Sequence, residues 1–185
     1  MNIILIGYRG TGKTSVGKLL AVKLGGPFLD SDEMIRASLG KSVREIVAGE
    51  GWSSFRREEK RIIAGLSQND GCVIALGGGA VLDEENVRNL KGKGLFIWLM
   101  AEAQIIAGRL NGDGKNREQR PSLTGKDPDE EIKFSLKERA PLYARIADCR
   151  VETSGRSIEE VAEEVFGILG ETVQAYPGRG KRHGG

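Results

Sequence analysis

Gly7-Tyr8-Arg9-Gly10-Thr11-Gly12-Lys13-Thr14 fits the pattern G-x-x-x-x-G-K-[ST] at every fixed position. It stands directly behind an apolar run of strand length, Asn2 to Ile6, and directly ahead of a stretch with helical spacing. That context is what the pattern requires. Glycines let successive backbone N–H groups turn inward around phosphate oxygens, and the helix start adds the positive end of its dipole. Lys13 is suited to neutralise charge on the β and γ phosphates of a nucleotide. The Thr14 hydroxyl is suited to Mg2+, a hard cation that takes oxygen ligands. The alternative, a glycine-rich turn that binds nothing, is the lesser one given the full match and its flanks.

Outward from this loop, apolar runs of strand length alternate with amphipathic stretches of helix length, the pattern of a parallel sheet with crossover helices. Strands are expected at Asn2 to Ile6, Phe28 to Asp30, Cys72 to Leu76, Leu95 to Leu99 and, more weakly, Cys149 to Glu152. Helices are expected at Lys13 to Leu24, Asp32 to Leu39, Val43 to Ala48, Ser53 to Ser67, Glu84 to Leu90, Ala101 to Leu110, Asp129 to Ile146 and Ile158 to Leu169. The expected fold class is α/β, a three-layer α/β/α arrangement around a five-stranded parallel sheet. Residues 1–170 read as one domain. Asn111 to Pro128 is polar and rich in Gly, Lys and Arg, so a mobile lid over about 111–128 is expected. Residues 171–185, ending in a Gly- and Arg-rich stretch with the one histidine, His183, read as a disordered basic tail.

Composition narrows the function classes. The chain has 185 residues, 39% hydrophobic and 29% charged, which suits a single core. Its formal net charge of +2 arises from 28 basic and 26 acidic residues spread along the sequence, which gives no nucleic-acid footprint. No stretch approaches the ~18 consecutive apolar residues of a membrane span. Cys72 and Cys149 lie far apart in apolar contexts and form no ligand-spaced cluster, so they read as core residues of a reducing compartment. A soluble cytoplasmic protein, without nucleic-acid or membrane partners, is expected.

Five further constellations bear on an acceptor. Asp30-Ser31-Asp32 falls at the end of the second strand, the sheet edge where open α/β folds place ligands. A carboxylate there either orients and deprotonates an acceptor hydroxyl or holds Mg2+ through water; equally, Asp32 could simply cap the next helix. In Phe55-Arg56-Arg57-Glu58-Glu59, Arg56 and Glu59 are three apart on one helical face and can pair, either as surface decoration or as a clamp for a substrate carboxylate. Gly77-Gly78-Gly79 follows the third strand, either as a flexible exit or as bare backbone that a ligand approaches closely. Arg120, before Pro121 in the expected lid, is either solvated or carried onto the transferring phosphoryl group. Arg139-Ala140-Pro141-Leu142-Tyr143 puts a proline inside a helical stretch, which implies a kink or break beside a pocket-facing Arg139.

Taken in order, the complete phosphate loop, the D-x-D pair, the F-R-x-x-E element, the triple glycine and the R-x-P-L-Y segment resemble the shikimate kinase family, from about Ile3 to Leu169. The resemblance implies transfer of a phosphoryl group from ATP to the 3-hydroxyl of shikimate, with Mg2+, on the route to aromatic amino acids. It implies that Asp32 holds and deprotonates the hydroxyl, that Arg56 and Arg139 clamp the carboxylate, that Glu59 orients Arg56, and that Gly78 and Gly79 meet the ligand through backbone. Gly10, Thr11, Gly12, Lys13, Thr14 and Ser15 match the family's phosphate and Mg2+ site, Arg120 its lid arginine, and Arg109 and Arg156 its adenine and ribose frame. A monomer is expected.

Two positions depart from the family pattern: Ser122 stands where an apolar residue usually follows R-P, and Val47 where an aromatic commonly lines the substrate pocket. Each could loosen substrate packing, an effect of about 1 to 3 kcal/mol. Two rivals remain on the residues alone. One is a gluconate kinase on the same scaffold; the other is a nucleotide-dependent switch that hydrolyses ATP without an acceptor pocket.

Overall fold

The computed structural model describes residues 1–112 and 127–175. Arg120 and Ser122, and nearly all of the segment expected as a lid, lie outside the described residues, as does the end of the tail from 176 onward.

Five strands, β1 (Asn2–Ile6), β2 (Phe28–Asp30), β3 (Val73–Ala75), β4 (Gly94–Met100) and β5 (Cys149–Glu152), form one parallel sheet in the order β2-β3-β1-β4-β5. Ile3 pairs with Val73 on one side and Leu95 on the other, which fixes β1 at the centre. Alternation along β1 sends its side chains to two cores. Ile4 and Ile6 join Ile74, Leu76 and Phe96 on one face, together with Ile35, Ile46, Phe55, Ile63 and Tyr143 from covering helices. Ile3 and Leu5 join Ile97, Leu99 and Val151 on the other, under Val16, Leu20, Val161 and Val165. Strands buried on both faces read as unbroken apolar runs, which is why the sequence marks them clearly.

The helices are α1 (Lys13–Leu24), α2 (Ser31–Leu39), α3 (Val43–Leu66), α4 (Glu84–Leu90), α5 (Ala103–Gly112), α6 (Pro128–Ile146) and α7 (Ile158–Ala175). Four of them bear on the expectations. α2 is capped by Asp30, whose side chain accepts from the amides of Asp32 and Glu33, so Asp32 is released from the capping role considered for it. The two helices expected over 43–67 run end to end through a kink at Gly51, whose φ of 79° and ψ of 168° only glycine adopts readily. α6 continues through Pro141 instead of breaking there. Pro141 and Lys137 are both exposed, so the carbonyl freed by the missing N–H faces solvent. α7 extends to Ala175, so the first residues of the expected tail are helical.

Candidate active site

β1 is the topological switch point of the sheet, because its neighbours β3 and β4 follow it in sequence on opposite sides. The phosphate loop leaves its carboxyl end there. Gly12 caps α1 in the left-handed region (φ 91°) and makes no side-chain cap hydrogen bond, which leaves the first amides of α1 for a ligand. Gly7 is required by contact: a Cβ on it would lie 2.3 Å from the Leu99 carbonyl oxygen. Thr11 Oγ1 donates to the Tyr8 carbonyl at 2.8 Å, and Lys13 Nζ donates to the carbonyls of Gly7 and Tyr8, each at 2.8 Å.

A cleft of about 1320 Å³ opens in front of this loop. Gly10, Thr11, Gly12, Lys13, Thr14 and Ser15 line it, as do Arg109 and Arg156. Arg109 donates to the Gly10 carbonyl at 3.2 Å and to Thr153 Oγ1 and the Thr153 carbonyl at 3.0 and 2.7 Å, tying the loop to the exit of β5. Arg156 donates to the carbonyls of Glu152 and Glu160, both at 3.1 Å, and pairs with Glu164. Thr14 Oγ1 donates to Asp30 Oδ2 at 2.8 Å. That oxygen-only pair at the foot of the loop is the donor set a Mg2+ ion takes when nucleotide phosphates and water complete its shell. Asp30 therefore caps α2 with one oxygen and meets Thr14 with the other.

Beside the cleft lies a smaller pocket of about 40 Å³, lined by Asp32, Phe55, Arg56, Glu59, Gly78, Gly79 and Arg139 among others. Arg56 Nη1 donates to Glu59 Oε2 at 2.6 Å, and the Glu59 side chain is 1% exposed. The guanidinium also lies against the rings of Trp52 and Phe55, at 5.6 and 5.4 Å. The triple glycine gives it room: a Cβ on Gly79 would meet Arg56 Nη2 at 2.5 Å, and one on Gly77 would meet Asp32 Oδ1 at 2.6 Å. Arg139 Nη1 and the Tyr143 hydroxyl both donate to the Gly78 carbonyl, at 3.1 and 2.5 Å. Burial pushes the Tyr143 phenol up to about 12. Asp32 lines both the cleft and the pocket.

The sequence-expected residues that the structure describes thus gather at one sheet edge; Arg120 lies outside the described residues. Val47 is half-buried against the core under α3 and does not line the small pocket. Arg9, Trp52 and Tyr143 belong to the site without having been assigned a role in it, and Asp30 was considered only as a member of its carboxylate pair. Asp30 carried a signal, as the first carboxylate of D-x-D, whereas Arg9 occupies a free position of the loop pattern and Tyr143 reads simply as an apolar position of α6.

A nucleotide cleft at a sheet switch point, joined through one carboxylate to an arginine-lined pocket, defines a P-loop phosphotransferase for a small acid. The sequence model of the shikimate kinase family matches residues 9–169. The chain is 46% identical over 173 residues to a shikimate kinase of Syntrophus aciditrophicus, covering 89% of each chain. It is 43% identical to one of Symbiobacterium thermophilum, covering 92% of this chain and 97% of that one. Among solved structures, the shikimate kinase from Acinetobacter baumannii in complex with shikimate superimposes with a TM-score of 0.86 at 32% identity, over 92% of this chain and 93% of that one. The chain belongs to the shikimate kinase family.

Proposed function

We propose that the protein transfers the γ-phosphoryl group of ATP to the 3-hydroxyl of shikimate, giving shikimate 3-phosphate and ADP. Family membership separates this reading from a gluconate kinase or a switch, and one observation carries its mechanism. Asp32 stands on the wall shared by the nucleotide cleft and the arginine-lined pocket, where an acceptor hydroxyl must meet the γ-phosphorus.

The loop amides and Lys13 hold the β and γ phosphates, with Lys13 leaving its carbonyls for phosphate oxygens. Thr14 and Asp30 would hold Mg2+, which would supply neutralisation of charge on the phosphates. Asp32 orients the 3-hydroxyl and accepts its proton as the oxygen–phosphorus bond forms and the bond to the leaving ADP oxygen breaks. Arg56, kept in place by Glu59, and Arg139 clamp the acceptor carboxylate. Gly78 and Gly79 present backbone to it. A pocket of about 40 Å³ holds little more than a water. The acid therefore enters as Arg139 exchanges the Gly78 carbonyl for it, while Arg56 stays on Glu59. Arg109 and Arg156 frame the base and ribose, and Arg120 meets the transferring group. The protein acts as a cytoplasmic monomer, a reading that its free thiols, Cys72 and Cys149, fit.

The test is ADP release with ATP and Mg2+, comparing shikimate, gluconate and no acceptor, for the native chain and for Asp32→Asn. Shikimate-dependent release, reduced about 100-fold or more in the variant with ATP binding retained, is expected. Release with gluconate alone, or without any acceptor, overturns the assignment.

A further inference from the structure

Two successive residues of the phosphate loop engage two successive residues of α6. Tyr8 shares a buried apolar cluster with Ile132, and Arg9 Nη2 donates to Glu131 Oε1 at 3.0 Å. The Glu131 side chain is 2% exposed and that of Arg9 24%. Two turns further along α6, Arg139 lies over the same Tyr8 ring at 5.4 Å, while Arg9 lies over it at 5.7 Å. Arg9 also lines both the nucleotide cleft and the acceptor pocket, and its backbone nitrogen would lie 3.2 Å from a Cβ on Gly78.

A buried ion pair is a poor device for stability, since desolvation of both partners offsets their attraction and an apolar pair of like volume holds as well or better. The Arg9 fork is not arranged for stability alone either. Its Nε is buried with no hydrogen-bond partner among the described residues. What the pair does supply is direction, because a guanidinium and a carboxylate meet in few geometries.

We propose that Arg9 is a positioning residue for acceptor binding: through Glu131 it fixes the first turns of α6 against the phosphate loop, and so sets Arg139 at the acceptor pocket. This rests on the reading of the pocket given above, with Arg139 on the acceptor carboxylate. Arg9 thus links the two half-sites, so that acceptor affinity depends on loop geometry.

The test removes both charges together, as Arg9→Met with Glu131→Met, so that no buried charge is stranded. Measured are Tm, KM for shikimate, KM for ATP, and amide exchange over residues 128–139. Expected are an unchanged or raised Tm, a KM for shikimate up about ten-fold, a KM for ATP within about two-fold of the native value, and faster exchange in α6. The charge-reversed pair, Arg9→Glu with Glu131→Arg, is expected to bind shikimate better than Arg9→Glu alone. Native KM for shikimate and native exchange in the double Met variant overturn the proposal, as does a KM rise confined to ATP. If the native chain does not use shikimate, the function assigned above fails; the exchange measurement, which needs no acceptor, still decides whether the tie exists.

Discussion

Gly79 places nothing of its own in the pocket, yet its missing side chain decides where Arg56 lies. Its backbone (φ −103°, ψ −2°) suits any residue, and the atoms nearest to an alanine Cβ there are Arg56 Nη2 at 2.5 Å and Nη1 at 2.9 Å, the far end of a flexible side chain. Gly79→Ala is therefore expected to leave Tm nearly unchanged and to raise KM for shikimate about ten-fold or more, the loss of one charge-assisted contact. A second prediction at this scale concerns Tyr143, which is held neutral by burial up to about 12 against 10.0 when unfolded. A folded value above the unfolded one gives stability that is complete below pH 10 and is lost as pH rises through about 12. The denaturant midpoint should fall between these limits, and Tyr143→Phe should flatten that fall. Residues fixed by a pattern, such as Lys13, Thr14, Arg56 and Glu59, could be named from the sequence. Arg9 and Tyr143 could not, because their partners, Glu131 and the Gly78 carbonyl, lie 122 and 65 residues away.

At the scale of elements, the bend of α3 does the work of aiming. Its first half buries Val43 and Ile46, and its second half carries Phe55, Arg56 and Glu59 to the pocket. The turn between them is made at Gly51, in a region of backbone space that costs other residues on the order of 1 to 3 kcal/mol. Gly51→Ala should lower Tm by about 2 to 4 °C per kcal/mol lost, and should raise KM for shikimate as the second half swings. A thermal melt beside a shikimate titration checks both. Periodicity located both halves of α3 and the gap between them, and the non-helical backbone of Gly51 falls in that gap. Pro141, by contrast, misled. A proline costs a helix one hydrogen bond, and on an exposed face water replaces it, so burial, invisible in the local sequence, determines the outcome.

For the whole molecule, the sheet was legible because β1, β3 and β4 are apolar runs, with the edge strands β2 and β5 fainter, whereas the order β2-β3-β1-β4-β5 was not, since no local signal tells β3 to enter between β1 and β2. That insertion brings Asp32, the triple glycine and the phosphate loop to one edge. Ligands that bind there bridge elements distant in sequence, and they bind only the folded chain. ATP or shikimate at about 100 times its Kd should add about 2.7 kcal/mol to stability. For a chain of this length that is a rise in Tm of about 5 to 10 °C, read in a thermal shift assay.

The resting place of Lys13 has its own consequence. An ammonium seated 2.8 Å from each of two backbone carbonyls is already solvated by the protein, so a ligand must outcompete those dipoles to claim it. Adenosine carries no phosphate to set against those carbonyls, AMP carries one, and ADP and ATP carry a chain of them. Affinity is therefore expected to climb with phosphate count in the native chain and to climb less in Lys13→Ala, which a competition titration with the four ligands checks.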